Sequence, residues 1–94
     1  MAKSIIQRDM ECCYICGSTQ NLEEHHCIKG IANRKLSEKY GLKVRLCYEH
    51  HRGNKGVHHN RNMDLFLIQT AQSCFEEQVG SREEWMKIFG KNWL

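Results

Sequence analysis

Cys13 and Cys16 stand two residues apart, and Cys47 and His50 repeat that gap after 30 intervening residues. Zinc takes thiolate and imidazole ligands in a tetrahedron, and a C-x2-C turn offers two sulfurs to one ion. The other two ligands must come from elsewhere in the chain, and Cys47-x2-His50 is the pair with matching spacing. These four residues are expected to hold a structural zinc. Cys12 could replace Cys13, but only Cys13 has a cysteine three positions on. Cys27 and Cys74 lack partners at such spacing and read as free thiols or small core residues.

The six histidines form three adjacent pairs, His25-His26, His50-His51 and His58-His59. With His50 given to zinc, five remain, and a cluster of imidazoles around a basic segment is a candidate for a second metal site. Adjacent side chains on a regular strand point to opposite faces, so His25 and His26 cannot both bind one ion there. At a strand end, one can bind metal while the other faces a substrate water.

The net charge of +3 is unevenly spread. Residues 29–55 hold eight basic side chains against Glu38 and Glu49, a local charge of +6, and the flanks together carry −3. A basic segment between acidic flanks suits a phosphate-binding face; an ordinary solvated surface would give the same pattern.

The elements that must position these residues can be read in outline. Residues 1–11 read as a loose lead-in, and 12–20 as a zinc-knuckle turn. A short strand is expected over 21–28, carrying His25 and His26. A helix over 31–40 stops at Gly41, and 42–46 alternates apolar and basic residues as a half-buried strand does. Residues 47–55 begin a second metal-bearing turn or helix. From Asp64, apolar side chains recur at Leu65, Ile68, Ala71 or Gln72, Phe75 and Val79, which predicts a helix ended by Gly80. Ser81-x-x-Glu84 is a capping box for a last helix with Trp85, Ile88 and Phe89 inward, closed at Gly90. The aromatic residues at helical spacing are core.

Ninety-four residues make one domain, of a size that often needs a metal or disulfide brace. The start of the chain is polar and no apolar run reaches the roughly 20 residues of a membrane span. The expectation is a cytoplasmic protein with no membrane partner, in which clustered thiols are reduced and bind metal.

Together these residues resemble the HNH endonucleases of the ββα-metal (His-Me finger) superfamily, in the variety braced by a cysteine-type zinc. The resemblance runs from Cys13 to about His58, through Cys13-Tyr-Ile-Cys16, His25-His26-Cys-Ile28, Leu46-Cys47-Tyr-Glu-His50-His51 and Gly56-Val57-His58. Over the whole chain it is similar to small phage- and prophage-encoded HNH proteins, through His25–Arg34, Ser37–Leu42, Leu46–His51, Gly56–His58 and Phe89–Leu94.

The resemblance implies an α+β fold, with a zinc-braced ββα-metal, treble-clef-like core over 12–60 and C-terminal helices over 61–94. It implies a DNA phosphodiesterase in which His26 is the general base. His25, with His51 and His58, would bind a catalytic divalent ion (Mg2+, Mn2+, Ni2+ or Zn2+), with His59 and Asn54 as alternatives to His58. Arg34, Lys35, Arg45, Arg52 and Lys55 are the expected phosphate contacts. In a phage-encoded protein the setting would be the cytoplasm of the bacterial host, with a homodimer or a host or phage protein as further partners.

Two features depart from the family pattern. The central asparagine is absent from Tyr40–Val44, where Asn33 or Asn54 could stand in spatially. His51 and His58 are seven residues apart, about 10 Å along a helix, so a break at Gly53 or Gly56 must bring them together. His50 and His51 could exchange roles. The alternative function is a zinc-stabilised module that binds nucleic acid or protein without catalysis.

Overall fold

The computed structural model describes residues 3–53 and 56–94. Its elements run β1 (Leu22–His26), α1 (Ile31–Tyr40), β2 (Lys43–Cys47), α2 (Tyr48–His51), α3 (Arg61–Gln78) and α4 (Arg82–Phe89). The result is an α+β fold with one two-stranded antiparallel sheet and packed helices. Leu22 pairs with Cys47, Glu24 with Arg45, and His26 with Lys43.

The first strand is narrower than the 21–28 expected, and the second is Lys43–Cys47 rather than 42–46. α1 covers the expected span. Gly41 ends it at φ 72°, a left-handed conformation that favours glycine. From there Leu42 leads directly into β2, so the helix fills most of the 27–42 connection between the antiparallel strands.

α3 starts at Arg61, three residues before Asp64, because the Asn60 side chain caps it by accepting from the Met63 N–H at 3.1 Å. Its buried face is Asp64, Leu67, Ile68, Ala71, Gln72 and Phe75. Val79, expected inward, is exposed: it is the C-cap residue at φ −115°, past the last regular turn. α4 carries the expected capping box between Ser81 and Glu84 and ends at Gly90.

One core joins both parts of the chain. Leu42, Val44 and Leu46 from β2 and its approach pack with Leu67, Ile68, Ala71, Phe75 and Trp85 in a single buried cluster. Phe75 meets the Trp85 ring edge-on at 5.3 Å between centroids, an arrangement that aromatic quadrupoles favour. The Trp85 indole N–H donates to the Lys91 carbonyl at 2.8 Å, which ties down the C-terminal segment.

The lead-in is docked, not loose. The Ile5 N–H donates to the Gly41 carbonyl at 2.9 Å, the Ser4 hydroxyl to the Lys43 carbonyl, and the Arg45 N–H to Gln7 Oε1 at 2.8 Å. These bonds occupy the edge of β2 that β1 leaves open, where unpaired backbone groups would otherwise face solvent.

Candidate metal centres

The first centre is built by three short pieces of chain. In the 13–18 turn the Gly17 N–H donates to the Cys13 carbonyl at 2.9 Å and the Cys13 N–H to the Ser18 carbonyl at 2.8 Å. The Tyr14 N–H donates to the Arg45 carbonyl at 2.8 Å, which ties this turn to β2 and sets Cys13 and Cys16 beside Cys47. His50 lies three residues past Cys47, close to one helical turn, and so comes back over it. One ligand atom from each of Cys13, Cys16, Cys47 and His50 lies within 4.8 Å of the others.

The spacings suit zinc. Bond lengths of about 2.3 Å to sulfur and 2.0 Å to nitrogen in a tetrahedron put ligand atoms about 3.6–3.8 Å apart. Cys16 Sγ is 3.7 Å from Cys47 Sγ, and His50 Nδ1 is 3.3 Å from Cys47 Sγ and 4.0 Å from Cys13 Sγ. Burial pushes the Cys13 thiol up, but backbone N–H donors around Cys47 and Cys16 outweigh it and hold the thiol below its ordinary value. The cluster could hold a metal ion such as zinc. Cys12 is not part of it; its thiol faces the Asp9 carbonyl at 3.7 Å. Cys27 is buried, which pushes its thiol far up and leaves it protonated.

The second cluster sits on the core-facing side of β1. Side chains alternate along a strand, so Glu23 and His25 share this face while Glu24 and His26 share the other. His51, next to His50 on α2, points away from the cysteines and towards His25, with ring centroids 5.2 Å apart. α2 stops at His51, and the Val57 N–H donates back to the His50 carbonyl at 3.0 Å. Gly56 permits this return, since a Cβ there would lie 2.7 Å from the His51 backbone. His58 thereby comes to 4.9 Å from His51 and 6.1 Å from His25, ring centre to ring centre. His25, His51 and His58 offer nitrogens within 4.8 Å of one another. The seven-residue separation is closed by a turn, not by a helix face.

The electrostatics disfavour protonation of His25 and His58. His25 is 4% exposed, and burial, with the neighbouring His51 and His58, pushes its pKa down to about 3. Burial and His51 lower His58 as well. His25 Nε2 is buried with no hydrogen-bond partner, a costly state for a polar atom unless something else satisfies it. The His51 Nδ1–H donates to Glu23 Oε1 at 2.8 Å, which leaves Nε2 as the ring's lone-pair atom. That hydrogen bond, with Arg52 beside it at 3.1 Å, holds the Glu23 carboxyl below its usual range. Three imidazoles, one with a bare buried nitrogen, make a donor set suited to a divalent cation.

A cavity of about 470 Å3 opens over this cluster, lined by all three histidines and also by His26, Lys29, Arg34 and Arg52. Lys35 lines an adjoining groove with His26, Arg34 and Glu38. Arg45 is elsewhere, in a groove against the lead-in with Gln7 and Arg8. Lys43, on the same groove, is 3% exposed and held in ion pairs. Lys55, and the alternative ligand Asn54, lie outside the described residues. His59 is exposed and is not in the cluster.

The sequence reading missed Glu23 and Lys29. The two-residue alternation of Glu23 with His25 was the available sign that they share a strand face. Lys29 lines the cavity and reaches the buried Asp64 carboxylate on α3 at 3.4 Å, a contact between distant segments that no local pattern encodes.

No family model matches the chain, and neither a curated protein nor a solved structure matches it significantly. Among the described residues, no helix is long and apolar enough to cross a membrane.

Proposed function

We propose that this chain is a metal-dependent endonuclease of the HNH type, with a treble-clef-like ββα-metal core braced by zinc, that hydrolyses phosphodiester bonds of DNA. One observation carries the reading: the buried, unpartnered Nε2 of His25 shares its surroundings with His51 and His58, in a cavity that His26 also lines. The order of elements, strand, helix, strand and short helix bearing the histidines, is consistent with it.

His25, His51 and His58 would hold the catalytic divalent ion, and when bound it would carry the scissile phosphate and stabilise the leaving 3′ oxygen. The remaining roles belong to side chains of the chain. His26 takes the proton from the attacking water, a task that imidazole side chains commonly perform. Arg34 and Arg52, at the cavity wall, contact phosphates on either side of the cut. Glu23 fixes the orientation of the His51 ring. Asn33 donates from Nδ2 to the Lys29 carbonyl at 2.9 Å and so braces the loop that leaves His26, a service the family's central asparagine would otherwise render.

The test is plasmid nicking with Mg2+, Mn2+ or Ni2+ by wild-type protein and His26→Ala. Nicking by the wild type alone is expected. Equal nicking by both would remove His26 from the mechanism.

The missing asparagine at Tyr40–Val44 favours a second reading, a zinc-stabilised module that binds nucleic acid or protein without catalysis. It predicts metal-replete protein that binds DNA with a steep salt dependence and does not cut it, whichever ion is supplied.

A further inference from the structure

We propose that Glu38 is the positioning residue for His26: its carboxylate, clamped by the buried Lys43 ammonium, fixes the imidazole as the Nε2–H tautomer and leaves Nδ1 to accept the proton from water. The inference rests on the reading of His26 as the general base and names the atom that does the work.

His26 is the last residue of β1, directly across the ladder from Lys43. Its Nε2 lies 3.3 Å from Glu38 Oε2 and 3.6 Å from Glu24 Oε1. Ionised carboxylates only accept hydrogen bonds, so a nitrogen whose partners are both carboxylates must carry the hydrogen. A neutral imidazole has one N–H, and the lone pair is then on Nδ1. Nδ1 makes no hydrogen bond among the described residues, and the ring lines the same cavity as His25, His51 and His58.

The carboxylate is held in turn. Lys43 is 3% exposed, and its Nζ is 2.7 Å from Glu38 Oε2 and 3.5 Å from Glu24 Oε1. A buried ammonium stays charged when opposite charges surround it. Lys43, more than His26, holds the Glu38 carboxyl below its ordinary range, so it is ionised where the imidazole is neutral. The helix that bears Glu38 is itself fixed: the neighbouring Ser37 is fully buried, and its hydroxyl lies 3.4 Å from both the Ile28 N and O, on the loop that leaves His26.

Glu24, His26 and Glu38 have ligand atoms close enough to hold a cation of their own. Lys43 argues against that use, because its ammonium already bridges the two carboxylates. The arrangement is a histidine oriented by a charged relay, in which Lys43 orders Glu38 and Glu38 orders the ring.

The experiment has two readouts on zinc-replete protein. Long-range 1H–15N NMR correlations of the histidine rings, at mildly alkaline pH, report which nitrogen of His26 is protonated. Wild type is expected in the Nε2–H form, and Glu38→Gln, which is nearly isosteric, is expected to lose that preference. In nicking kinetics Glu38→Gln is expected to lower kcat at least about 10-fold with KM within about twofold, as misorientation of a catalytic group does.

A wild-type His26 in the Nδ1–H form overturns the inference. So does a Glu38→Gln variant with an unchanged tautomer and unchanged kcat, or ligation of added Mn2+ or Zn2+ by His26 Nε2. If wild type nicks nothing, the endonuclease reading fails by itself, and the NMR readout still decides where Glu38 puts the proton.

Discussion

Glu23 Oε1 accepts a hydrogen bond of 2.8 Å from His51 Nδ1, across the gap between β1 and α2. The pairing engages Nδ1 of His51, leaves Nε2 as the nitrogen open to a ligand, and makes the ring a stronger donor to a cation. Glu23→Gln keeps an oxygen acceptor but removes the charge. The variant should bind Mn2+ or Ni2+ about 10-fold more weakly than wild type by isothermal titration calorimetry, with its thermal unfolding nearly unchanged. Unaltered affinity would show that the carboxylate does not support the ring.

The cysteine cluster should behave as a brace. Cys16 is exposed at its rim, so Cys16→Ser removes a ligand without opening a core cavity. Purified variant should hold about one zinc fewer per chain by elemental analysis. Its near-ultraviolet circular dichroism, to which the buried Trp85 contributes, should collapse where the wild type keeps its signal, because a core of this size depends on the brace. A strong chelator should do the same to wild type.

Buried His25 predicts a specific acid sensitivity in ion-free protein. Folded His25 has a pKa near 3, below its ordinary 6.5, so between those values the unfolded chain binds more protons. The stability it contributes is complete above about 6.5 and is lost as pH falls towards 3, by at most about 1.4 kcal/mol per pH unit. His25→Phe should flatten that part of the pH profile in urea-denaturation midpoints. A parallel profile in wild type and variant would place the sensitivity elsewhere.

Arg34 and Arg45 have equal charge and different surroundings. Arg34 lines the cavity of the histidines, and Arg45 lines the groove against the lead-in. In fluorescence-anisotropy titrations of duplex DNA across salt concentrations, Arg34→Ala should weaken binding and reduce the salt slope by about one unit. Arg45→Ala should leave the slope as it is. Equal effects would mean that the bound strand crosses both grooves.

Much of the local structure could be read from the sequence, because it depends on near neighbours. The thiol spacing of Cys13 and Cys16, the stop at Gly41 and the capping box at Ser81 are chemical requirements that a few adjacent residues meet by themselves. The docking of Ser4 and Gln7 along β2 was hidden, since it joins side chains to backbone groups nearly 40 residues away with no periodic signal. His58 joining His51 depended on where α2 ends. Glu38 meeting His26 and Lys43 depended on how α1 lies across the sheet, which residue spacing does not specify. Val79 was misread because an apolar residue at helical spacing loses its meaning at a helix terminus.

α2 has only four residues, and it places His50 among the cysteines and His51 among the histidines. The two rings cannot move independently, since one turn of backbone carries both. An ion that fixed either ring would also restrain the backbone that carries the other. If both clusters take ions, the shared backbone is expected to couple their binding, and by thermodynamic reciprocity each ion would then change the affinity for the other by the same factor. Scarcity of the metal for one cluster would then register as altered occupancy of the other.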